Sequence, residues 1–249
     1  MGAVAEIWRH PLKAHGREEM TEVRLEPGKC LPWDRTWAVA HEASSADGSE
    51  WVHCNNFTRG AKAPQLMAIT SRLEETTETL HLAHPERPDL AFRPGTEEGQ
   101  EAFLKWVAPL MPEGRAQPAR IISVPGRGLT DNPFPSISIA NIASHRAVEQ
   151  KLGRRLSMHR WRANIWLDGL PAWEEFDWVG AEVTLGEARL KIVERIGRCA
   201  ATTANPETGE RDADTLGTLR EGWDHTQFSV AAEVVQGGTV SKGDTVTLL

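Results

Sequence analysis

Short segments in which apolar and polar residues alternate constrain the fold of this chain more than any other feature. TEVRLEPG (21–28) and TWAVAHE (36–42) alternate with a period of two, and the first stops at a Pro-Gly pair. This pattern is typical of half-buried strands that end at turns. Further strands are predicted within 65–85, 119–126, 162–169, 181–196 and 228–249. Many short strands with few helices predict a mainly β fold of barrel-like architecture.

Two segments have helical spacing instead. EEGQEAFLKWVAPLM (97–111) places its large apolar residues three to four positions apart, which predicts a helix with one buried face. A second helix is predicted from Ser144 to about Leu156, with Ser144 as its N-cap. The polar, proline-containing stretch at 111–119 is the best candidate for a domain boundary.

Composition excludes several functional classes. The net charge of −7 gives no support to a nucleic-acid-binding protein. No segment approaches the roughly 18 apolar residues needed to span a bilayer, and the first residues lack the apolar core of a signal peptide. Three widely spaced cysteines do not form a disulfide framework, which favours a reducing compartment. The sequence therefore predicts a cytoplasmic protein that contacts neither nucleic acid nor membrane.

Common metal and nucleotide motifs are absent from the sequence. The nine histidines form no HExxH pair, and no CxxC is present, so a zinc site is not expected. VPGRGL (124–129) matches neither the dinucleotide-binding nor the P-loop pattern. Cys30 and Cys54 are expected to be structural.

Two basic positions differ from ordinary surface charges. Within KLGRRLSMHRWR (151–162), Lys151, Arg154 and Arg155 are expected on a solvated helix face. Arg162 stands at the entry to the apolar run ANIWL, where a guanidinium near the interior needs an anionic partner. Arg35 lies between two tryptophans, and its pairing with Asp34 is open between a surface ion pair and part of an anion site.

The segment RIGRCAATTANPETG (195–209) leaves three roles open for Cys199. An isolated cysteine is most commonly a buried structural thiol. The adjacent Arg198 favours a thiolate, and Thr202 and Thr203 add hydroxyl groups, so a nucleophile is a second possibility. A thiolate ligand for a soft metal is the third.

The same segment carries a resemblance to a known family. RCAATTANPETG together with GTVSKGDTV (238–246) resembles the MOSC family, named for the C-terminal domain of molybdenum cofactor sulfurase. The opening IWRHPLK and the later DRTW resemble the longer members, and the closest architecture is that of the amidoxime reducing component type, with its N-terminal β-barrel region. The resemblance covers nearly the whole chain and is weakest across 43–118.

The resemblance implies a set of site residues. Cys199 would ligate molybdenum through its sulfur and would be the catalytic residue. Positive side chains would hold the phosphate of the molybdopterin. The implied cofactor-binding residues are Lys13, Arg35, Asp131, Asn132, Arg162, Asn164, Arg198, Thr202 and Thr203. Two departures stand out: Ala14 replaces a hydroxylic residue found in relatives, and Phe228-Ser229 stands where relatives have Phe-Gly.

The resemblance also implies a function. The chain would be a molybdenum-cofactor-binding oxidoreductase that reduces N-hydroxylated substrates such as hydroxylamines and amidoximes. It would use neither PLP nor a built-in iron–sulfur cluster, and a separate flavin or iron–sulfur protein would deliver electrons. The alternative is a carrier that uses Cys199 to handle sulfur or the cofactor without redox turnover. A metal-free cysteine enzyme is a third reading.

The domain arrangement implied by the resemblance joins distant parts of the chain. Residues 1–38 and 119–249 would form the MOSC β-barrel domain, and 39–118 would form a smaller inserted β-rich lobe. This arrangement would place Lys13 and Arg35 beside Cys199, although nearly 190 residues separate the first from the last.

Overall fold

A computed structural model describes residues 2–249, and its described part contains fifteen strands and four α-helices. The strands are β1 (Ala3–Arg9), β2 (Glu18–Met20), β3 (Glu22–Leu25), β4 (Trp37–His41), β5 (Thr70–Glu74), β6 (Thr79–His84), β7 (Arg87–Phe92), β8 (Pro118–Ser123), β9 (Ile137–Asn141), β10 (Ile165–Asp168), β11 (Glu182–Leu185), β12 (Ala188–Gly197), β13 (Gln227–Gln236), β14 (Gly238–Ser241) and β15 (Val246–Leu248). The helices are α1 (Glu97–Val107), α2 (Ile142–Leu152), α3 (Glu174–Asp177) and α4 (Thr215–Trp223). The prediction of a mainly β fold with few helices is confirmed.

An eight-stranded sheet forms the larger half, in the order β15-β11-β12-β13-β9-β10-β1-β2. Its pairs are antiparallel except for β9 and β10, which run parallel. The hydrogen-bonded ladder does not close into a continuous barrel. A single bridge between Ala3 and Thr245 joins β1 to the residue before β15, so the two ends of the sheet nearly meet. Alternating Val, Leu and Ile side chains from this sheet fill one core, to which β3 and β14 also contribute.

A second core lies beneath the three-stranded sheet β5-β6-β7, the pair β4-β8 and α1. Phe103 and Trp106 of α1 are buried in it, and Phe103 stacks on Phe92 of β7 with ring centroids 5.1 Å apart. Thr96 caps α1 by accepting a hydrogen bond from the Gly99 amide, 3.1 Å away. The helix predicted at 97–111 therefore exists, and it ends at Val107 in a short 3₁₀ turn.

The second predicted helix begins earlier than expected. The side chain of Asn141 caps α2 by accepting from the Ala143 amide, so Ser144 is not the N-cap. Ser144 is instead fully buried inside the helix, and its hydroxyl donates to the Glu175 carboxylate. Gly153 ends the helix in a left-handed conformation.

Strands from distant parts of the sequence pair across the molecule. Strand β1 pairs with β10 and β3 pairs with β14, so the N-terminal strands belong to sheets of the C-terminal half. Strand β4, which spans the proposed boundary at residue 38, pairs with β8 outside the eight-stranded sheet. The division into 1–38 with 119–249 and an inserted 39–118 stays a prediction. Among the described residues, no helix is long and apolar enough to cross a membrane.

His15 makes the fold sensitive to acid. It is fully buried, with Nδ1 2.7 Å from the Lys13 carbonyl oxygen and its ring edge against Phe103. Burial, reinforced by the charge of Arg162, lowers the pKa of His15 to about 4. The unfolded chain binds the proton near pH 6.5 and the folded protein does not. Acidification from pH 6.5 to 4 should therefore cost about 3 kcal/mol of unfolding free energy at this residue.

Urea unfolding at pH 7 and pH 4.5 measures this loss. His15→Gln removes the titrating ring, so the difference between the two pH values should shrink by roughly 2–3 kcal/mol. The remaining difference reflects other groups, because burial also lowers the pKa of His10 and that of His159. An unchanged pH dependence in the variant would show that His15 does not titrate in this way.

Candidate functional site

A cavity of about 470 Å³ lies between the two cores, and the Cys199 loop forms one wall. This volume is within the range of small-molecule and cofactor sites. The structure brings most of the sequence-predicted residues to its lining. Those that line the cavity are Lys13, Arg35, Asp131, Asn132, Arg162, Arg198, Cys199 and Thr202.

The end of β12 presents Cys199 to the cavity. After Gly197 the Arg198 amide donates to the Thr226 carbonyl at 2.8 Å, and the chain then turns into a 3₁₀ helix at Ala200–Thr203. Thr202 fixes this turn, because its hydroxyl oxygen lies 3.1 Å from the Cys199 carbonyl and 2.7 Å from the Thr215 hydroxyl. The Cys199 side chain is exposed. The buried-thiol interpretation of Cys199 is therefore wrong.

Arg198 is held by backbone carbonyls and no carboxylate. Its Nε and Nη2 donate to the Phe228 carbonyl at 2.9 and 2.7 Å, and Nη1 donates to the Trp161 carbonyl at 2.8 Å. Nη2 also contacts the Ser229 hydroxyl. Burial lowers the pKa of Arg198 to about 10, although Cys199 and Asp131 favour its charge. A cation in this setting lacks a full counter-charge.

Ser229 explains the departure from the Phe-Gly of relatives. Its φ of +65° lies in the left-handed region, which a glycine adopts without steric cost. Serine accepts some strain there and gains the contact with Arg198. The substitution therefore keeps the backbone conformation and adds a polar anchor for an arginine of the cavity.

Arg35 and Arg162 are coupled through the backbone. Each occupies the left-handed region, with φ of +54° and +51°, and Arg35 Nη2 donates to the Arg162 carbonyl at 3.0 Å. Asp34, the partner of Arg35, is fully buried and also accepts from the His10 amide at 2.8 Å. The Asp34–Arg35 pair is therefore an interior one, and the surface ion-pair interpretation is wrong.

Arg162 also lacks a carboxylate partner. Its Nη2 donates to the Gly16 carbonyl at 3.0 Å, and no carboxylate of the described residues lies within 4 Å. Burial, reinforced by the charges of Arg35 and Arg17, lowers the pKa of Arg162 to about 9. The arginines repel one another across a shared space, which is the arrangement expected for an anion site.

Lys13 and Asp131 form the ion pair at the other side of the cavity, with Nζ and Oδ1 2.5 Å apart. Burial lowers the pKa of Lys13, whose side chain is only 7% exposed. The Asp131 side chain is 72% exposed, and the positive charges of Lys13, Arg35 and Arg198 outweigh desolvation and lower its pKa. The desolvation penalty of the ion pair therefore falls mainly on Lys13. Its Nζ also donates a hydrogen bond to the Leu129 carbonyl at 2.6 Å.

The residues fit a phosphate-bearing molybdenum cofactor. Two arginines with depressed pKa values and no carboxylate partner converge with Arg35 and Lys13 on one cavity, so an anion there would relieve their repulsion. Cys199 adds an exposed soft donor in the same lining, of the kind that transition metals bind.

Asn164 and Thr203 do not line the cavity. Thr203 donates to the Ala200 carbonyl at 2.8 Å within its own turn. Asn164 is buried at the start of β10, where Oδ1 accepts from the Ser138 hydroxyl at 2.8 Å and Nδ2 donates to the Trp8 carbonyl at 3.1 Å. It therefore joins β9, β10 and β1 directly behind Arg162. Cofactor contacts of both residues stay predictions.

Asn164→Ala should destabilise the cofactor-free protein by about 2–3 kcal/mol, because it leaves buried partners on two strands unpaired. Urea unfolding measures the change. Asn132→Ala is the matched control at the cavity rim, where Asn132 accepts from Ser136 and donates to Glu194, and it should cost less than about 1 kcal/mol. Equal losses in the two variants would contradict the strand-joining role.

Sequence reasoning missed several lining residues. Arg160 was part of a basic stretch without an assigned role, yet it is 1% exposed, donates to the Thr202 carbonyl at 2.9 Å and pairs with Asp212. Cys54, expected to be structural, lines the cavity together with Arg59. Cys54 and Arg59 belong to the segment 39–118. No local sequence pattern reveals that this segment approaches the Cys199 loop.

Arg211 joins that segment to the Cys199 loop. Its Nη1 donates to the Ala200 carbonyl at 2.5 Å, and Nη2 donates to the Ala61 carbonyl at 2.8 Å. A Cβ on Gly60 would lie 3.4 Å from the Ala201 side chain, so the two loops are in van der Waals contact. The cavity is therefore enclosed by both halves of the chain.

Comparisons with known proteins agree with this architecture. The family model of the MOSC domain matches residues 130–247, and that of the MOSC N-terminal beta barrel domain matches residues 1–110. The chain is similar to mitochondrial amidoxime-reducing component 1 from Mus musculus, at 25% identity over 88% of this chain and 71% of that protein. The protein of the same name from Homo sapiens is 23% identical over 89% of this chain and 73% of that protein.

One solved structure shows the same fold. The crystal structure of the YUAD protein from Bacillus subtilis superimposes with a TM-score of 0.50 and 14% identity, covering 100% of this chain and 96% of that one. MOSC domains are associated with molybdenum cofactor binding. The two matched modules together account for nearly the whole chain, which therefore belongs to the MOSC-domain family.

Proposed function

We propose that this protein is a molybdenum-cofactor-binding oxidoreductase that reduces N-hydroxylated compounds. The observation that carries the proposal is the exposed thiol of Cys199 in the lining of a cavity whose arginines lack counter-charges. The similarity to amidoxime-reducing components supports the choice of an N–O bond as the reacting group. The cofactor, when bound, supplies the two-electron redox chemistry of the reaction.

The side chains of this protein have binding and orienting roles in that reaction. Cys199 would hold the metal, and the turn fixed by Thr202 sets the position of its sulfur. Arg162 and Arg198 would neutralise the phosphate, each positioned by backbone carbonyls that do not compete for charge. Lys13 would add a charge that it shares with Asp131. The cavity of about 470 Å³ would hold the cofactor beside Cys199, with residues of both loops in its lining.

Reduction of an N–OH group to N–H releases water and consumes two electrons and two protons. Lys13 Nζ carries a proton beside the Asp131 carboxylate, and both line the cavity with Cys199. The electrons come from a separate protein, a flavin or iron–sulfur reductase.

The test is turnover of benzamidoxime with reduced methyl viologen as an artificial electron donor. Protein from a host that makes molybdenum cofactor should form benzamidine, and protein from a cofactor-deficient host should not. Chromatography of the product measures the difference. Molybdenum-loaded protein that forms no benzamidine or amine from any N-hydroxylated substrate would overturn the proposal.

The second candidate is a carrier that uses Cys199 to handle sulfur or the cofactor. The exposure of the thiol at a loop favours it, since a carrier must present its sulfur to another protein. Mass spectrometry of the isolated protein distinguishes the two. A persulfide on Cys199 without bound molybdenum supports the carrier.

A further inference from the structure

Arg59 is a cation of the cavity that the predicted cofactor set does not include. Two of its sequence neighbours contact the site. The Phe57 ring lies over Lys13, with Nζ 5.9 Å from the ring centroid, and Gly60 lies at the contact with the Cys199 loop. Its Nη1 lies 3.1 Å from the Cys54 sulfur. Within residues 2–249, no carboxylate lies within 4 Å of its guanidinium.

Positive charge in the lining exceeds what one phosphate neutralises. Seven cations line the cavity, and three of them have carboxylate partners, namely Lys13, Arg35 and Arg160. The four without a partner among the described residues are Arg59, Arg162, Arg195 and Arg198. A phosphate monoester carries a charge of about −1.5 to −2 near neutral pH. Glu194 adds one negative charge at the rim, where it accepts a hydrogen bond from Asn132 at 2.6 Å.

Two of the unpartnered arginines, Arg59 and Arg195, lie outside the implied cofactor set, and they differ in position. Arg195 is exposed and stacks on Phe176, with its guanidinium carbon 4.5 Å from the ring centroid. Arg59 is half-buried and belongs to the loop that packs on Ala201, two residues beyond Cys199. It therefore lies in the lining next to the loop that carries Cys199.

Cys54 holds Arg59 without cancelling its charge. Burial and the negative charge of Asp131 raise the pKa of the Cys54 thiol, so the sulfur stays protonated at neutral pH. A neutral thiol fixes the direction of the guanidinium and leaves its charge available to a ligand. Guanidinium groups bind carboxylates and phosphates through two parallel hydrogen bonds.

We propose that Arg59 forms an anion subsite that makes the enzyme prefer N-hydroxylated substrates bearing a carboxylate or phosphate group. This inference rests on the proposed function and names the substrate class of the same site. The overall charge of −7 would repel such substrates, and the positive cavity would attract them locally.

The test compares 4-carboxybenzamidoxime with benzamidoxime, which share the reacting group and differ by one carboxylate. The ratio of their kcat/KM values should favour the carboxylated substrate in the wild type. Arg59→Gln should lower this ratio about tenfold, mainly through KM, and Arg59→Lys should lower it less. Arg146→Gln removes an exposed arginine of α2 outside the cavity and should leave the ratio unchanged.

Two further measurements are needed. The first distinguishes the phosphate of the cofactor from a substrate anion as the ligand of Arg59, and the second separates the anion subsite from the proposed reaction. Molybdenum content of Arg59→Gln should equal that of the wild type, and a loss would assign Arg59 to the phosphate of the cofactor and overturn the subsite. Calorimetry with 4-carbamoylbenzoate and benzamide tests binding without turnover. If the wild type reduces neither amidoxime but binds the carboxylated amide more tightly through Arg59, the proposed reaction fails and the anion subsite stands. Equal binding of the two amides overturns the subsite.

Discussion

Cys199→Ser is expected to lose its bound molybdenum and to lower amidoxime reduction about 1,000-fold, equivalent to about 4 kcal/mol of lost stabilisation. A serine hydroxyl is a hard, neutral donor at neutral pH, whereas the thiolate is the soft ligand that the metal requires. The thiol is exposed and makes no hydrogen bond to the described residues, so the fold should be unaffected. The free energy of unfolding should stay within about 0.5 kcal/mol of the wild type.

Metal analysis of proteins purified from a cofactor-producing host gives the first readout, and thermal unfolding gives the second. Cys54→Ser is the matched control, because it removes a thiol from the same cavity that the resemblance does not assign to the metal. It should retain molybdenum. Stoichiometric molybdenum in Cys199→Ser would show that Cys199 is not the metal ligand. The wild-type thiol would then be available for a carrier role.

The period-two pattern predicted the sheets where alternation is regular. The hairpin β11–β12 follows the expected segment 181–196 and turns at Gly186, which has a φ of +52°. Strand β1 was not identified from its pattern, because a bulge between Val4 and Glu6 breaks its alternation. Strand β7 begins with Arg87, Pro88 and Asp89, which break the alternation, so it resembles a loop in sequence.

The candidate site could be predicted where a local motif carries it. Cys199 and Arg198 lie in one such motif, and the position of Arg162 before an apolar strand indicated an unusual arginine. The placement of Lys13 and Arg35 beside them followed from the family resemblance and not from spacing. No local rule places Arg59 or Arg160 in the cavity, since their positions depend on how the loops between the two cores fold together.

Asn164 shows how a motif can leave the direction of a side chain open. The resemblance assigned Asn164 to the cofactor together with Arg162, and only Arg162 lies in the lining of the cavity. The left-handed conformation of Arg162 turns the chain into β10, which points the Asn164 side chain at Ser138 and Trp8 instead. Backbone conformation, which a motif does not encode explicitly, therefore separates the two residues.

Arg162→Gln is expected to change cofactor binding and stability in opposite directions. Loss of a charge-assisted contact to phosphate should weaken retention of the cofactor about 10- to 100-fold. The cofactor-free protein should become more stable by about 1 kcal/mol, because the variant removes a desolvated cation that Arg35 and Arg17 repel. The left-handed backbone at position 162 costs glutamine and arginine the same free energy, so it does not contribute to the stability difference between variant and wild type.

Arg160→Gln provides the contrast that makes the experiment decisive. Arg160 lines the same cavity, but it is paired with Asp212 and bonded to the Thr202 carbonyl. Its replacement should destabilise the cofactor-free protein by about 2–3 kcal/mol, since the buried Thr202 carbonyl loses its donor and Asp212 keeps only the exposed Arg154 as an ion-pair partner. Urea unfolding of cofactor-free protein and molybdenum analysis of loaded protein measure both effects. If Arg162→Gln instead loses stability as Arg160→Gln does, Arg162 stabilises the fold, and the anion site must be assigned to other cations.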